Sequence, residues 1–132
     1  MNTRNILVSG LLASIVMCLL AGLAHELVFA QFFADATDAE HEGTAIIFVA
    51  YLVLGLMMSY LYTITNKTRS AVVEGLTLGV FVGVLWIFPH GLAMAGAHGD
   101  SIAYVFINTA WHIVEQGTGG MVIGAVFQKR QA

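Results

Sequence analysis

The sequence predicts an all-α, polytopic membrane protein: a four-transmembrane-helix bundle with N and C termini in the cytoplasm. Three observations carry that expectation. Of the 132 residues 58% are hydrophobic and only 10% charged, with mean hydropathy +0.83, whereas a water-soluble domain has roughly a quarter of its residues charged. Four apolar stretches approach or exceed the ~20 residues that a helix needs to cross the ~30 Å hydrocarbon core. Finally, the basic residues are confined to alternate ends of those stretches, as the positive-inside rule requires of a multi-pass chain.

The first stretch runs from Ile6 to Phe33, the second from Thr44 to Ile64, the third from Ala71 to Ala95 and the fourth from Ile102 to Phe127. The connections between them, Ala34 to Gly43, Thr65 to Ser70 and Gly96 to Ser101, are short, so successive helices should be antiparallel. Apolar and polar residues do not alternate along the stretches as they would in β-barrel strands. Val28-Phe29-Ala30 has the small-residue pattern of a signal cleavage site, but the apolar run before it is too long for a signal core. The whole chain therefore reads as one transmembrane domain.

Arg4, Lys67, Arg69, Lys129 and Arg130 are all the basic residues, and each lies at a terminus or in the second connection. Asp35, Asp38, Glu40, Glu42 and Asp100 lie in the first and third connections. Both termini and the middle loop are thus expected inside, and the acidic loops outside, a bacterial inner membrane. A net charge of −3 with so few cations argues against nucleic acid as a partner. The expected partners are membrane lipids, a second copy of the chain or a larger membrane complex. Cys18, the single cysteine, has no internal disulfide partner.

Lipid supplies no hydrophobic drive for helix association, so small residues that permit close approach mark the contacts. Gly75, Gly79 and Gly83 recur every four residues on helix three, and Gly120 and Gly124 do so on helix four. Ser14, Cys18 and Ala21 share a face of helix one, and Gly55 and Ser59 share one on helix two.

Ionisable residues inside a span are costly and mark function by default. Here they are His25, Glu26, Glu74, His90, His112 and Glu115. His25 follows Ala21 by four residues and His90 follows Gly83 by seven, which projects both from the small-residue faces. Each lies 19 residues into an outward-running helix, about 28 Å at ~1.5 Å per residue, so the two should be level near the outer edge of the core. Asn108, His112, Glu115 and Gly119 form one stripe of helix four, with His112 ten residues in, about 15 Å deep. The resulting path descends from the acidic loops through His25, Glu26 and His90 to His112 and Glu115.

Two kinds of chemistry suit this path. Level histidines on facing helices suit axial ligation of haem b or binding of a transition metal; His25, His90 and His112 are the cofactor-binding candidates, and His25, Glu26 and His90 the metal candidates, of an electron-transfer or accessory subunit. Alternatively, His112 and Glu115 form a proton or cation relay. The bland readings are a headgroup-level position for His25 and Glu26, a helix irregularity at Pro89 for His90, and hydrogen-bonded glue for His112 and Glu115, as in a purely structural subunit. Glu74, in the first turn of helix three, suits the helix dipole. No phosphate loop, nucleophile elbow, Cys-x-x-Cys or His-Glu-x-x-His motif is present, so no sequence motif points to an enzyme and the question stays open.

The segment Ile107-Asn108-Thr109-Ala110-Trp111-His112-Ile113-Val114, followed by Met121-Val122-Ile123-Gly124-Ala125, resembles the last helix of a widespread class of small four-helix bacterial membrane proteins catalogued as a domain of unknown function. The spaced glycines leading to Trp86 are similar too. Where many members carry a Trp-Tyr pair, this chain has His25-Glu26. The class has no established activity, so the resemblance implies fold and localisation alone.

Overall fold

A computed structural model of the chain describes residues 3–24, 43–65, 69–99 and 101–129. These residues form four helices: α1 (Thr3–Leu23), α2 (Gly43–Ile64), α3 (Ala71–His98) and α4 (Ile102–Lys129). The expected continuation of the first helix to Phe33, with its candidates His25 and Glu26, lies outside the described residues. Helix α3 runs three residues beyond its expected end at Ala95. Its stop is Gly99 rather than Gly96: at φ 76° Gly99 takes the left-handed conformation that a side chain disfavours, and its N–H donates to Ala95 O at 2.9 Å. Pro89 lies within α3 without ending it. At the other end of α3, Glu74 Oε1 accepts from the Arg69 backbone N–H at 2.7 Å, so this carboxylate caps a helix start.

Three helices, Thr3–Leu23, Ala45–Ile64 and Ala71–His98, are long and apolar enough to cross a membrane. Helix α4 is as long as α3 but is not among them. Its middle carries Asn108, His112, Glu115, Gln116 and four glycines, the polar content that a site inside a bundle requires.

The two antiparallel pairs α1–α2 and α3–α4 join chiefly through α1 against α4, and α2 touches α3 and α4 only slightly. The α3–α4 seam is a backbone contact. A Cβ on Gly75 would meet the carbonyl of Gly120, one on Gly79 that of Gln116, one on Gly83 that of His112, and one on Gly124 that of Ala71. Each step of four along α3 is matched by a step of four back along α4. Rows of residues four apart are the ridges that interlock in the commonest helix crossings, and glycine removes the ridge so that the axes can approach. Between α1 and α2, Gly10 packs on Leu56 and Gly55, while Gly55 faces Ser14. The hydroxyls of Ser9 and Ser59, both fully buried, bond at 2.6 Å across that pair.

Polarity is inverted relative to a water-soluble bundle. Ser9, Ser14, Ser59, Thr109, Glu115 and Gln116 are buried, while Ile46 is 72% exposed and Leu19, Phe81 and Trp86 more than 60%. Apolar side chains gain nothing by hiding from lipid, whereas polar ones must find partners inside. The apolar interior is small. Ala13, Met17, Met58, Tyr62 and Ile123 form it: Met58 and Tyr62 lie towards the second connection and Ile123 towards the C-terminal end of α4, while Ala13 is at the middle of α1 and Met17 one turn beyond it.

Candidate functional site

Directly beyond that apolar plug lies the most polar place in the described interior. Helix α4 carries His112, Glu115 and Gln116, which follow one another within a turn and a fraction. At 100° per residue Glu115 lies about 60° to one side of His112 and Gln116 about 40° to the other, so the three share one broad face with His112 in the middle. The Glu115 side chain is 1% exposed and points towards α1 and α2, where the Cys18 thiol and the Tyr51 hydroxyl are near enough to interact with it electrostatically. The Tyr51 hydroxyl is near enough to serve as a donor to this carboxyl, although neither Glu115 oxygen has a partner within strict hydrogen-bond geometry among the described residues. Gln116, 1% exposed, points to α3, with its Oε1 against Gly83.

His112 stands between them. Its Nδ1 is 3.7 Å from Glu115 Oε1, within ion-pair range but longer than a hydrogen bond, and 3.3 Å from Gln116 Nε2. The ring is 17% exposed and is the least enclosed of the three. Backbone packing fixes the frame that holds them, because the carbonyls of His112 and Gln116 are the atoms against which Gly83 and Gly79 rest. Any rearrangement within the trio must therefore occur in side chains.

The position of Glu115 is energetically marked. A buried acceptor without a donor costs about 1–3 kcal/mol, and more if charged. Three such acceptors, both Glu115 oxygens and Gln116 Oε1, sit on consecutive residues. A proton on the carboxyl, a cation or a water molecule would relieve the cost, so the arrangement suits a group that takes up and releases something small.

His90 does not join this cluster. The α3–α4 contact follows the four-residue ridge from Gly83 onward to Gly91, which faces Val105, and to buried Ala95. Four residues advance a helix by 400°, so the ridge drifts by 40° each turn. Seven residues past Gly83 the expected inward face has moved on by one position, and His90 is left exposed beside Gly91. His98 is exposed as well. Among the described residues no three His, Cys, Asp or Glu side chains converge as a metal site would require.

Gln116 and Tyr51 are the residues that sequence reading missed. Glu115-Gln116 is a doubly polar step in the middle of an otherwise apolar helix, which was a usable signal. Tyr51 carried none, because its closeness to Glu115 depends on how α2 is set against α1 and α4. No protein-family model, no curated protein and no solved structure matches the chain.

Proposed function

We propose that the chain is a four-span protein of the bacterial inner membrane, with both termini cytoplasmic, in which His112 and Glu115 relay a proton between the outer side and the bundle interior. The single observation that carries this reading is Glu115 itself: a carboxyl with no exposed surface, no partner within strict hydrogen-bond geometry among the described residues, and an imidazole at 3.7 Å. Burying such a group is costly, and in a membrane protein it marks an ion or proton path. The surroundings agree. On the cytoplasmic side the site is closed by Met17, Met58 and Ile123, each with no exposed surface. Towards the outer side the partly exposed ring of His112 and the partly buried Asn108 follow along α4. An outer path that ends at a sealed floor describes a protonation site reached from one side, and carriage across the membrane then requires the floor to move.

The relay is favoured over ligation of haem b or a transition metal, because His90 is exposed rather than turned into the bundle. Proton flux in proteoliposomes under an imposed pH gradient tests the proposal. Wild type should carry protons. Glu115→Gln should carry none while still assembling, since the amide fills the same space and cannot exchange a proton with His112. Equal flux from both proteins would eliminate Glu115 as the carrier.

A further inference from the structure

We propose that Gln116 is a positioning residue for proton transfer: its side-chain amide donates to His112 Nδ1 and so stabilises the ring that has just passed its proton to Glu115. This rests on the relay reading and assigns a direction to it.

His112 Nδ1 is the one ring nitrogen shared by two neighbours, Gln116 Nε2 at 3.3 Å and Glu115 Oε1 at 3.7 Å. These contacts demand opposite states of the same atom. To accept from the amide, Nδ1 must be bare; to donate to the carboxylate, it must carry the proton. The shorter contact is with the amide, so the arrangement is that of a neutral ring protonated at Nε2. The transfer that leads to it balances simply. An imidazolium breaks its Nδ1–H bond, Glu115 forms an O–H bond at Oε1, and a cation–carboxylate pair becomes a neutral ring and a carboxylic acid. The vacated Nδ1 lone pair then accepts from Gln116, which opposes return of the proton to the ring.

Gln116 is 1% exposed, and its Oε1 sits beside Gly83, 2.9 Å from where a Cβ would stand. The backbone carbonyl of Gln116 packs on Gly79 of α3, which fixes the base of the side chain. In this arrangement Nε2 faces the ring and Oε1 faces α3. Facing the same pair from the other elements are the Cys18 thiol of α1 and the Tyr51 hydroxyl of α2, while α3 brings the backbone of Gly83 against His112.

The test is ¹⁵N NMR of the histidine rings in the full-length protein in lipid bilayers, with the His112 signal identified by its loss in His112→Gln. Wild type should show His112 protonated at Nε2 with Nδ1 accepting a hydrogen bond. Gln116→Met keeps the side-chain volume but removes the donor. It should raise the population protonated at Nδ1 severalfold and slow proton flux at saturating gradient, whereas a packing role alone would leave the ring populations unchanged. Unchanged ring populations in Gln116→Met would overturn the proposal, and so would a wild-type ring protonated mainly at Nδ1, which needs no variant to fold. If wild type carries no protons yet the ring responds to Gln116→Met, the relay fails while the positioning by Gln116 stands.

Discussion

Glu115 is held in an interior where no donor meets strict hydrogen-bond geometry among the described residues, and its cost is offset elsewhere in the bundle rather than at the residue. Replacing it with Gln should therefore leave the fold intact or slightly firmer, because a neutral amide is easier to bury than a carboxyl that can ionise. Retention of helical content and of the detergent-purified species, together with loss of flux, checks this; collapse of the protein in Glu115→Gln would make the carboxyl structural. The Ser9–Ser59 bond is a different matter. Interhelical hydrogen bonds within membranes contribute about 0.6 kcal/mol on average, so Ser59→Ala should lower the stability of the α1–α2 pair by about that amount and leave flux unchanged. At this scale the sequence was partly legible. A histidine and a carboxylate three residues apart in mid-span are visible from spacing and depth alone. What was not legible is direction: a face read forward by seven residues from Gly83 lands on His90, whereas the packed ridge advances by fours and reaches Gly91.

Among the elements, the α3–α4 seam sets the geometry of the site, since the backbones of His112 and Gln116 are located by Gly83 and Gly79. The glycines of α3 are accordingly unequal in consequence. A methyl group on Gly79 would meet the backbone of Gln116, which cannot withdraw, whereas one on Gly96 meets nothing within 4 Å. Gly79→Ala should destabilise the protein by about 1–3 kcal/mol or more through overpacking. Gly96→Ala, in the last turns of the same helix, should be neutral or stabilising by up to about 1 kcal/mol through helix propensity. Unfolding in mixed micelles separates the two, and equal effects would mean that the seam is not a backbone contact. The four-residue spacing on each helix is plain in the sequence; which carbonyl each glycine meets is not, because that depends on register between two helices. The end of α3 was misplaced for a local reason. Either Gly96 or Gly99 can end a helix, and only the one followed by the chain reversal takes positive φ.

At the scale of the whole molecule, among the described residues, the polar site at His112, Glu115 and Gln116 adjoins an apolar cluster that includes Met17, Met58 and Ile123, which in the proposed orientation closes its cytoplasmic side. Met17 is the keystone of that floor, with its sulfur against Gly119 of α4. Truncation by Met17→Ala removes a fully buried side chain, at a cost of about 2–5 kcal/mol. It should also raise proton leak, because the cavity lies directly beneath Glu115; a destabilised variant with unchanged leak would show that the barrier lies elsewhere. The five basic residues predict an orientation, in which a reporter fused after Ala132 is active only in the cytoplasm and one inserted at Ala39 only outside. The asymmetry of the interior was not readable, since Met17, Met58 and Ile123 look like any other apolar positions until three helices bring them together. The central claim is that the buried carboxyl exchanges its proton with the outer side through His112. The most direct test is the infrared carbonyl band of the protonated Glu115 carboxyl, assigned by its loss in Glu115→Gln, in vesicles of known orientation. The account predicts that this band changes when the pH of the outer face is stepped and is unmoved by the same step at the cytoplasmic face. A Glu115 band that ignores the outer pH, or follows the cytoplasmic side alone, would contradict it.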